Sequence, residues 1–375
     1  MPLRVLWVII GLGPGGAERL LVSLARVADP SVVQYQAAYL LPWKDHLVGE
    51  LADAGVGATC LEASRVWHPS WLRRLRKLIV AGAFDIVHAH TPAVACGARL
   101  AVRSISPRRR PRLVYTEHNT WDSYRVSTRW LNAATCPLDD LDIAVSEAVR
   151  QSAWRRRRDE IRVVVHGVPL AEIRQRRNDR ETTRAELGVG PGEVLIGTVA
   201  NLRTEKDYPT LLAAADQVLR RCPQARYVAV GQGPLEAMIR ARHSELGLGE
   251  RFRLLGYRRD ATRVLAACDV FTLASRHEGL PVALMEAFAL GLPVVATAVG
   301  GILDVVRPGI DGVLVPPGRA DELARATQSV VVDDELRRTL AEGSAAQAAT
   351  FGIARCARRL EQLYRDLVAD KPIGQ

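Results

Sequence analysis

The chain has 375 residues, 48% of them apolar and 25% charged, the composition of a globular protein with room for two domains that each bury a core. No apolar run reaches the roughly 18 to 20 residues of a membrane span, and a single Arg before a short apolar stretch does not make a secretory leader, so neither is expected. The net charge is +10, and it is uneven: residues 1–170 carry 23 Lys and Arg against 15 Asp and Glu, residues 171–375 carry 28 against 26. The excess gathers in RRLRK (73–77), PRRRPR (107–112) and WRRRR (154–158). It suggests either an anionic partner surface or a solvated arginine-rich face. The 6 cysteines show no C-x-x-C pairing and are expected to be reduced thiols of a cytoplasmic protein.

Along the chain, short apolar runs alternate with segments of helical period. Strand candidates in the first half are 3–10, 32–40, 58–61, 85–89, 112–116, 142–145 and 162–165. Runs buried on both faces and separated by helices predict a parallel, doubly wound sheet. After a polar stretch at 172–186 the rhythm restarts, with candidates at 193–200, 226–230, 251–255, 269–273, 293–298 and 312–316. A second α/β domain is expected, with the boundary at 170/171 and the second domain running to 351. The segment 352–370 has helical apolar spacing and no strand after it.

GLGPGG (11–16) follows the first strand and reads as G-x-G-x-x-G, the fingerprint of a dinucleotide crossover. A dinucleotide site wants an acidic residue at the tip of the second strand. Here that tip reads AYLLPW, and Pro14 removes an N–H from the loop. What remains is a glycine turn feeding a helix, either a plain tight turn or a place where Gly15 and Gly16 admit an anion to free N–H groups.

SRHEGLPVALMEAFALGLPVVATAVGG (275–301) places Glu278 in a loop at a helix mouth and Glu286 inside the helix, with Pro281 suited to the first helical position. GTVANLRTEKDYPTLL (197–212) is a strand, a polar turn with Arg203 and Lys206, and a helix. Two cations, helix-start N–H groups and a carboxylate that accepts from hydroxyls suit a sugar diphosphate. No metal is expected, because the cations can neutralise the leaving diphosphate. The adjacent pairs Asp139-Asp140 and Asp333-Asp334 are not the Asp-x-Asp of a metal site.

Together with HAHT (88–91), TEHN (116–119), AVSE (144–147), VHGV (165–168), GQGPLE (231–236) and GVLVPPG (312–318), these stretches resemble the family-4 retaining glycosyltransferases of group 1 type. The resemblance implies the GT-B fold: α/β, two Rossmann-like doubly wound domains facing a cleft, with the C-terminal helix, 352–375, crossing back to the N-terminal domain. It implies transfer of a sugar from a nucleotide-diphosphate sugar, UDP or GDP, to a glycan, lipid-linked or small-molecule acceptor, with no further cofactor and with retention. By the same resemblance Glu278 meets the donor sugar, Glu286 the ribose, and Arg203 and Lys206 the diphosphate. The backbone of Leu280, Pro281 and Val282 lies near that diphosphate, Gly15 and Gly16 close over the phosphates, and His118 sits near the reacting centre. A UDP-sugar 2-epimerase of the same architecture is the alternative. Two positions depart from the family pattern: Asn201 stands where Arg is usual, with Arg203 only three residues before Lys206, and His166 replaces an Asn and is expected to alter a hinge contact. His88 and His90 end a strand, and burial there is as good a reading as catalysis.

With 5% aromatic residues the chain does not look like a nucleic-acid binder. The segment 67–82 combines Trp67, Trp71, Leu72, Leu75, Leu78 and Ile79 with Arg73, Arg74, Arg76 and Lys77. Its helix is expected either to lay its leucines on an anionic membrane, peripherally on the inner face, or to pack them on the sheet.

Overall fold

The structure, a computed structural model, describes residues 1–66 and 68–369; Trp67 and residues 370–375 lie outside the described residues. Two parallel sheets carry the fold. The first contains β1 (Leu3–Ile9), β2 (Val33–Tyr39), β3 (Gly57–Cys60), β4 (Ile86–His90), β5 (Arg112–Glu117), β6 (Leu141–Ala144) and β7 (Arg162–Val163), in the order β3-β2-β1-β4-β5-β6-β7. The second contains β8 (Val194–Val199), β9 (Ala225–Val230), β10 (Phe252–Leu254), β11 (Val270–Leu273), β12 (Val294–Thr297) and β13 (Gly312–Val315), in the order β10-β9-β8-β11-β12-β13. Each order reverses once, at β1/β4 and at β8/β11. In open α/β sheets that reversal opens a crevice at the carboxyl ends of the strands, where ligands bind.

The reason these runs become parallel strands is visible in β1. From Val5 to Ile9 every residue is buried, so both faces of the strand need helices over them. The expected doubly wound α/β class and the thirteen apolar runs agree with the observed strands.

The chain divides into two compact units. One comprises Met1–Gly167 together with the last helix, Ile353–Ala369; the other is Val168–Gly352. The last helix places Ile353, Cys356, Ala357, Leu360, Leu363 and Tyr364 on one stripe, at the spacing of an amphipathic helix. That stripe joins Val5, Trp7, Ile9, Leu20, Leu21 and Leu24 in one core, so the final helix is part of the first unit. The polar stretch after residue 172 is helical too, at Leu170–Gln175 and Arg180–Glu186. Arg180 and Arg184 anchor it by binding Asp269 at 2.5 and 2.9 Å and the carbonyls of Ala266 to Cys268.

Helix Ser70–Gly82 corrects the membrane expectation drawn from its sequence. Trp71, Leu75 and Ile79 are buried, and Leu72 and Leu78 pack against the same core. Trp71 lies so close to Gly97 that a Cβ there would sit 2.1 Å from its ring. Arg74 donates to the carbonyls of Leu61 and Glu62, at 2.8 and 2.9 Å. The apolar side of this helix therefore belongs to the core and is not open to lipid.

Leu360→Ala is expected to destabilise the first unit by about 2–5 kcal/mol, as for other buried leucines. A urea melt measures this, and a loss within the roughly 0.5 kcal/mol of a surface change would contradict the placement of the last helix.

Candidate functional site

At the carboxyl edge of the second sheet, three loops meet around one carboxylate. β11 ends at Leu273, Ser275 follows two residues later, and the chain then turns through Arg276 to Pro281 into helix Val282–Ala289. Glu278 is buried in this turn. Its Oε1 accepts from Ser275 Oγ at 2.6 Å and pairs with Lys206 Nζ at 2.5 Å. Ser275 is in turn held by Thr297, at the end of β12, whose hydroxyl donates to the Ser275 carbonyl at 2.6 Å. Lys206 comes from the short turn Thr204–Lys206 after β8.

Backbone contacts fix this arrangement. Gly300 has φ +50° and passes so near Glu278 that a Cβ would lie 1.8 Å from the Glu278 carbonyl oxygen. The next residue, Gly301, donates its N–H to Gly279 at 2.7 Å. Across the other side, Arg276 donates to buried Asp207 at 2.8 Å, and its N–H reaches the Glu205 carbonyl at 2.8 Å. Ser275, Asp207 and Arg276 were not singled out from the sequence. Their roles appear only when β8 and β11 are placed side by side.

Pro281 is the N-cap of its helix, one position earlier than expected, and carries no N–H. The N–H groups that lack partners within the helix therefore begin at Val282, not at Pro281. Glu286 lies inside this helix and is half-buried. Arg203 is half-exposed, with Glu205 at 4.0 Å, while Lys206 is the cation drawn in to Glu278.

In the first unit, Gly15 is the N-cap of helix Gly16–Val27, directly after β1. A Cβ on Gly15 would lie 2.1 Å from the Glu18 carboxylate, which folds back over the start of its own helix.

The ends of β4 and β5, with the loop after β7, bring together four buried histidines. His90 Nδ1 and His118 Nε2 are 3.0 Å apart, His118 stacks on His166 with ring centres 5.2 Å apart, and His88 stacks on His90 at 4.3 Å. His88 also shares hydrogen bonds with Tyr364 of the last helix, at 2.6 Å, and with Thr116, at 2.7 Å. His166, expected to alter a hinge contact, stacks on His118 and directly precedes Gly167, where this stretch of the first unit ends. Burial lowers His88 to about 3 and His118 to about 4, and holds His90 and His166 well below the usual histidine value. All four are neutral at pH 7. Beside them, burial raises Glu117 to about 7, against the pull of hydroxyls donated by Tyr115 and Tyr124 at 2.6 and 2.5 Å.

Residues 179–347 match the family model for glycosyl transferases group 1, and residues 14–172 match that for glycosyltransferase family 4. The chain belongs to the group 1 glycosyltransferases. Among similar proteins, this glycosyltransferase is 26% identical over 349 residues to the Escherichia coli UDP-Gal:alpha-D-GlcNAc-diphosphoundecaprenol alpha-1,3-galactosyltransferase, covering 88% of each chain. It is 34% identical over 217 residues to the D-inositol 3-phosphate glycosyltransferase of Nocardia farcinica, covering 55% of this chain and 48% of that one. Its fold is that of Anabaena HepE in complex with UDP-glucose, with a TM-score of 0.84 over 97% of this chain and 99% of that one, at 22% identity. Its architecture is GT-B.

The buried histidines give the glycosyltransferase an acid limit. Unfolded histidines bind a proton near pH 6.5, about two units or more above their native values, so below that pH the unfolded chain holds more protons and stability falls. Glu117 acts oppositely: its native value of about 7 exceeds the unfolded 4.5, so its stabilising share is present below 4.5 and lost as pH rises through 7. Four histidines outweigh one carboxyl. Thermal melts are expected to show a falling midpoint from pH 7 to pH 5; a flat or rising midpoint would contradict neutral burial.

Proposed function

We propose that this glycosyltransferase moves a sugar from a UDP-sugar to a glycan or lipid-linked acceptor with retention at the anomeric carbon and without a metal ion. The observation that carries the reading is the buried Glu278 held against Lys206 at the mouth of helix Val282–Ala289. Lys206 faces the diphosphate, and Glu278 accepts hydrogen bonds from the transferred sugar. Glu286 accepts from the ribose. Leu280 and Val282 present N–H groups to the phosphates, and Arg203 adds a second positive charge. In the first unit, Gly15 and Gly16 offer a helix start to phosphate, provided the Glu18 carboxylate moves off it. His118, neutral at pH 7, assists at the reacting sugar.

The reaction is a same-face displacement. The bond from the anomeric carbon to the diphosphate oxygen breaks as the bond to the acceptor oxygen forms on the same side. The acceptor proton passes to the departing phosphate oxygen. Lys206 stabilises the charge that develops there, the task a metal ion performs in other sites. UDP is favoured over GDP, because similar proteins carry UDP in their names and complexes. The E. coli relative is named for a diphosphoundecaprenol-linked acceptor, which supports a lipid-linked acceptor here.

Because Lys206 is neutralised by Glu278, the two glutamates are expected to behave differently. Glu286→Ala weakens UDP and UDP-sugar binding together. Glu278→Ala lowers kcat strongly and leaves UDP affinity unchanged or improved, since it frees the Lys206 charge. Calorimetry with UDP measures this, and equal losses in both variants would sink the assignment.

Lys206→Ala is expected to cost on the order of 10²-fold or more in turnover, while EDTA leaves the wild-type rate nearly unchanged. An assay that requires Mg²⁺ or Mn²⁺ would refute the metal-free reading. Conversion of donor without any acceptor would point to epimerisation.

A further inference from the structure

Helix Val126–Thr135 in the first unit is turned inside out. The residues it buries are Asn132 and Ala133, while Val126, Trp130 and Leu131 face solvent, with Val126 64% and Trp130 66% exposed. The cause is a polar anchor. Arg99 is wholly buried in the neighbouring helix Pro92–Arg103 and pairs with Asp139 through Nε at 2.9 Å and Nη2 at 2.5 Å. Its remaining nitrogen, Nη1, donates to Asn132 Oδ1 at 2.7 Å and to Thr135 Oγ1 at 2.8 Å. With Asn132 and Thr135 committed to Arg99, the large apolar side chains have no core to enter. Trp154 meets them from another loop. Its ring lies 6.2 Å from that of Trp130 at 85°, and it is 41% exposed.

Cations surround the patch. Arg125, Arg129 and Arg155 are exposed, and WRRRR (154–158) is a basic block to which the reaction gives no role. The acids beside them are Asp122, which faces Arg129 at 3.7 Å, Glu160, which faces Arg157 at 3.2 Å, and the exposed Asp159. An exposed pair of tryptophans flanked by aliphatic residues and arginines is the pattern of a surface that rests in the headgroup layer of an anionic bilayer. Among the described residues no helix is long and apolar enough to cross a membrane, so such contact is peripheral.

We propose that Val126, Trp130, Leu131 and Trp154, with Arg125, Arg129 and Arg155, form a docking surface for an anionic lipid bilayer. The surface takes the place of helix Ser70–Gly82, whose leucines are in the core. Two other occupants fit less well. Rings set at 85° do not offer one flat platform to the face of a sugar. A symmetric second copy would set the three arginines against themselves. The proposal does not depend on the identity of the donor or acceptor.

The test is sedimentation of the full chain with vesicles of phosphatidylcholine alone or mixed with phosphatidylglycerol. Binding is expected to the mixed vesicles and to disappear at high salt. Changing Arg125, Arg129 and Arg155 to Gln is expected to weaken it about fivefold for each arginine. The double variant Trp130→Ala with Trp154→Ala is expected to weaken it on the order of tenfold or more at fixed salt. The arginine variant should keep the wild-type melting temperature, since those side chains are exposed, and a melt of the tryptophan variant shows that it is folded before its binding is read. Vesicle binding unchanged in both variants would overturn the proposal. So would a soluble glycan bound in place of vesicles, or a dimer in sedimentation equilibrium that Trp130→Ala dissociates.

Discussion

A carboxylate buried at the edge of a parallel sheet is costly unless a cation and a donor meet it there. Glu278 has both, Lys206 at 2.5 Å and Ser275 at 2.6 Å, and the surrounding loops are arranged to keep them in place. Gly300 admits the Glu278 backbone where any side chain would collide, Thr297 holds Ser275, and Arg276 ties the turn to Asp207. In the proposed reaction the same pair gains a second use. A lysine whose charge is balanced by Glu278 is already desolvated and aimed, so little reorganisation is needed when a diphosphate arrives. The compensation also means that the two side chains cannot be judged singly: removing Lys206 leaves a buried carboxylate without its cation, and removing Glu278 leaves the cation free.

Much of this was legible in the chain. Thirteen apolar runs, interrupted by helical periods, are enough to predict two parallel sheets, because a strand covered on both faces has no polar alternation to confuse the reading. The last helix was marked by apolar spacing with no strand behind it, and its stripe, Ile353 to Tyr364, is what completes the first core. Glu278 and Lys206 stood out by motif. Their contact could not be read, since 72 residues separate them and only the adjacency of β8 and β11 joins them.

Three things lay beyond the sequence for physical reasons. The amphipathic pattern of helix Ser70–Gly82 shows an apolar face but not what covers it, and a core and a membrane ask for the same residues. Helix Val126–Thr135 fails the pattern because a buried arginine from another helix, Arg99, claims its polar side chains. The histidine cluster joins the ends of β4 and β5 to His166 and, through Tyr364, to the last helix; HAHT, TEHN and VHGV each display one or two members, and none shows that the rings touch. Each of these is a tertiary choice among side chains whose local signals are neutral or ambiguous.

The most direct measurement of the proposed donor site is a structure of the protein with UDP-glucose bound. The account predicts diphosphate oxygens within hydrogen-bond distance of Lys206 Nζ, the Glu278 carboxylate on the glucose hydroxyls and Glu286 on the ribose. A diphosphate held away from Lys206, or a sugar turned away from Glu278, would contradict it.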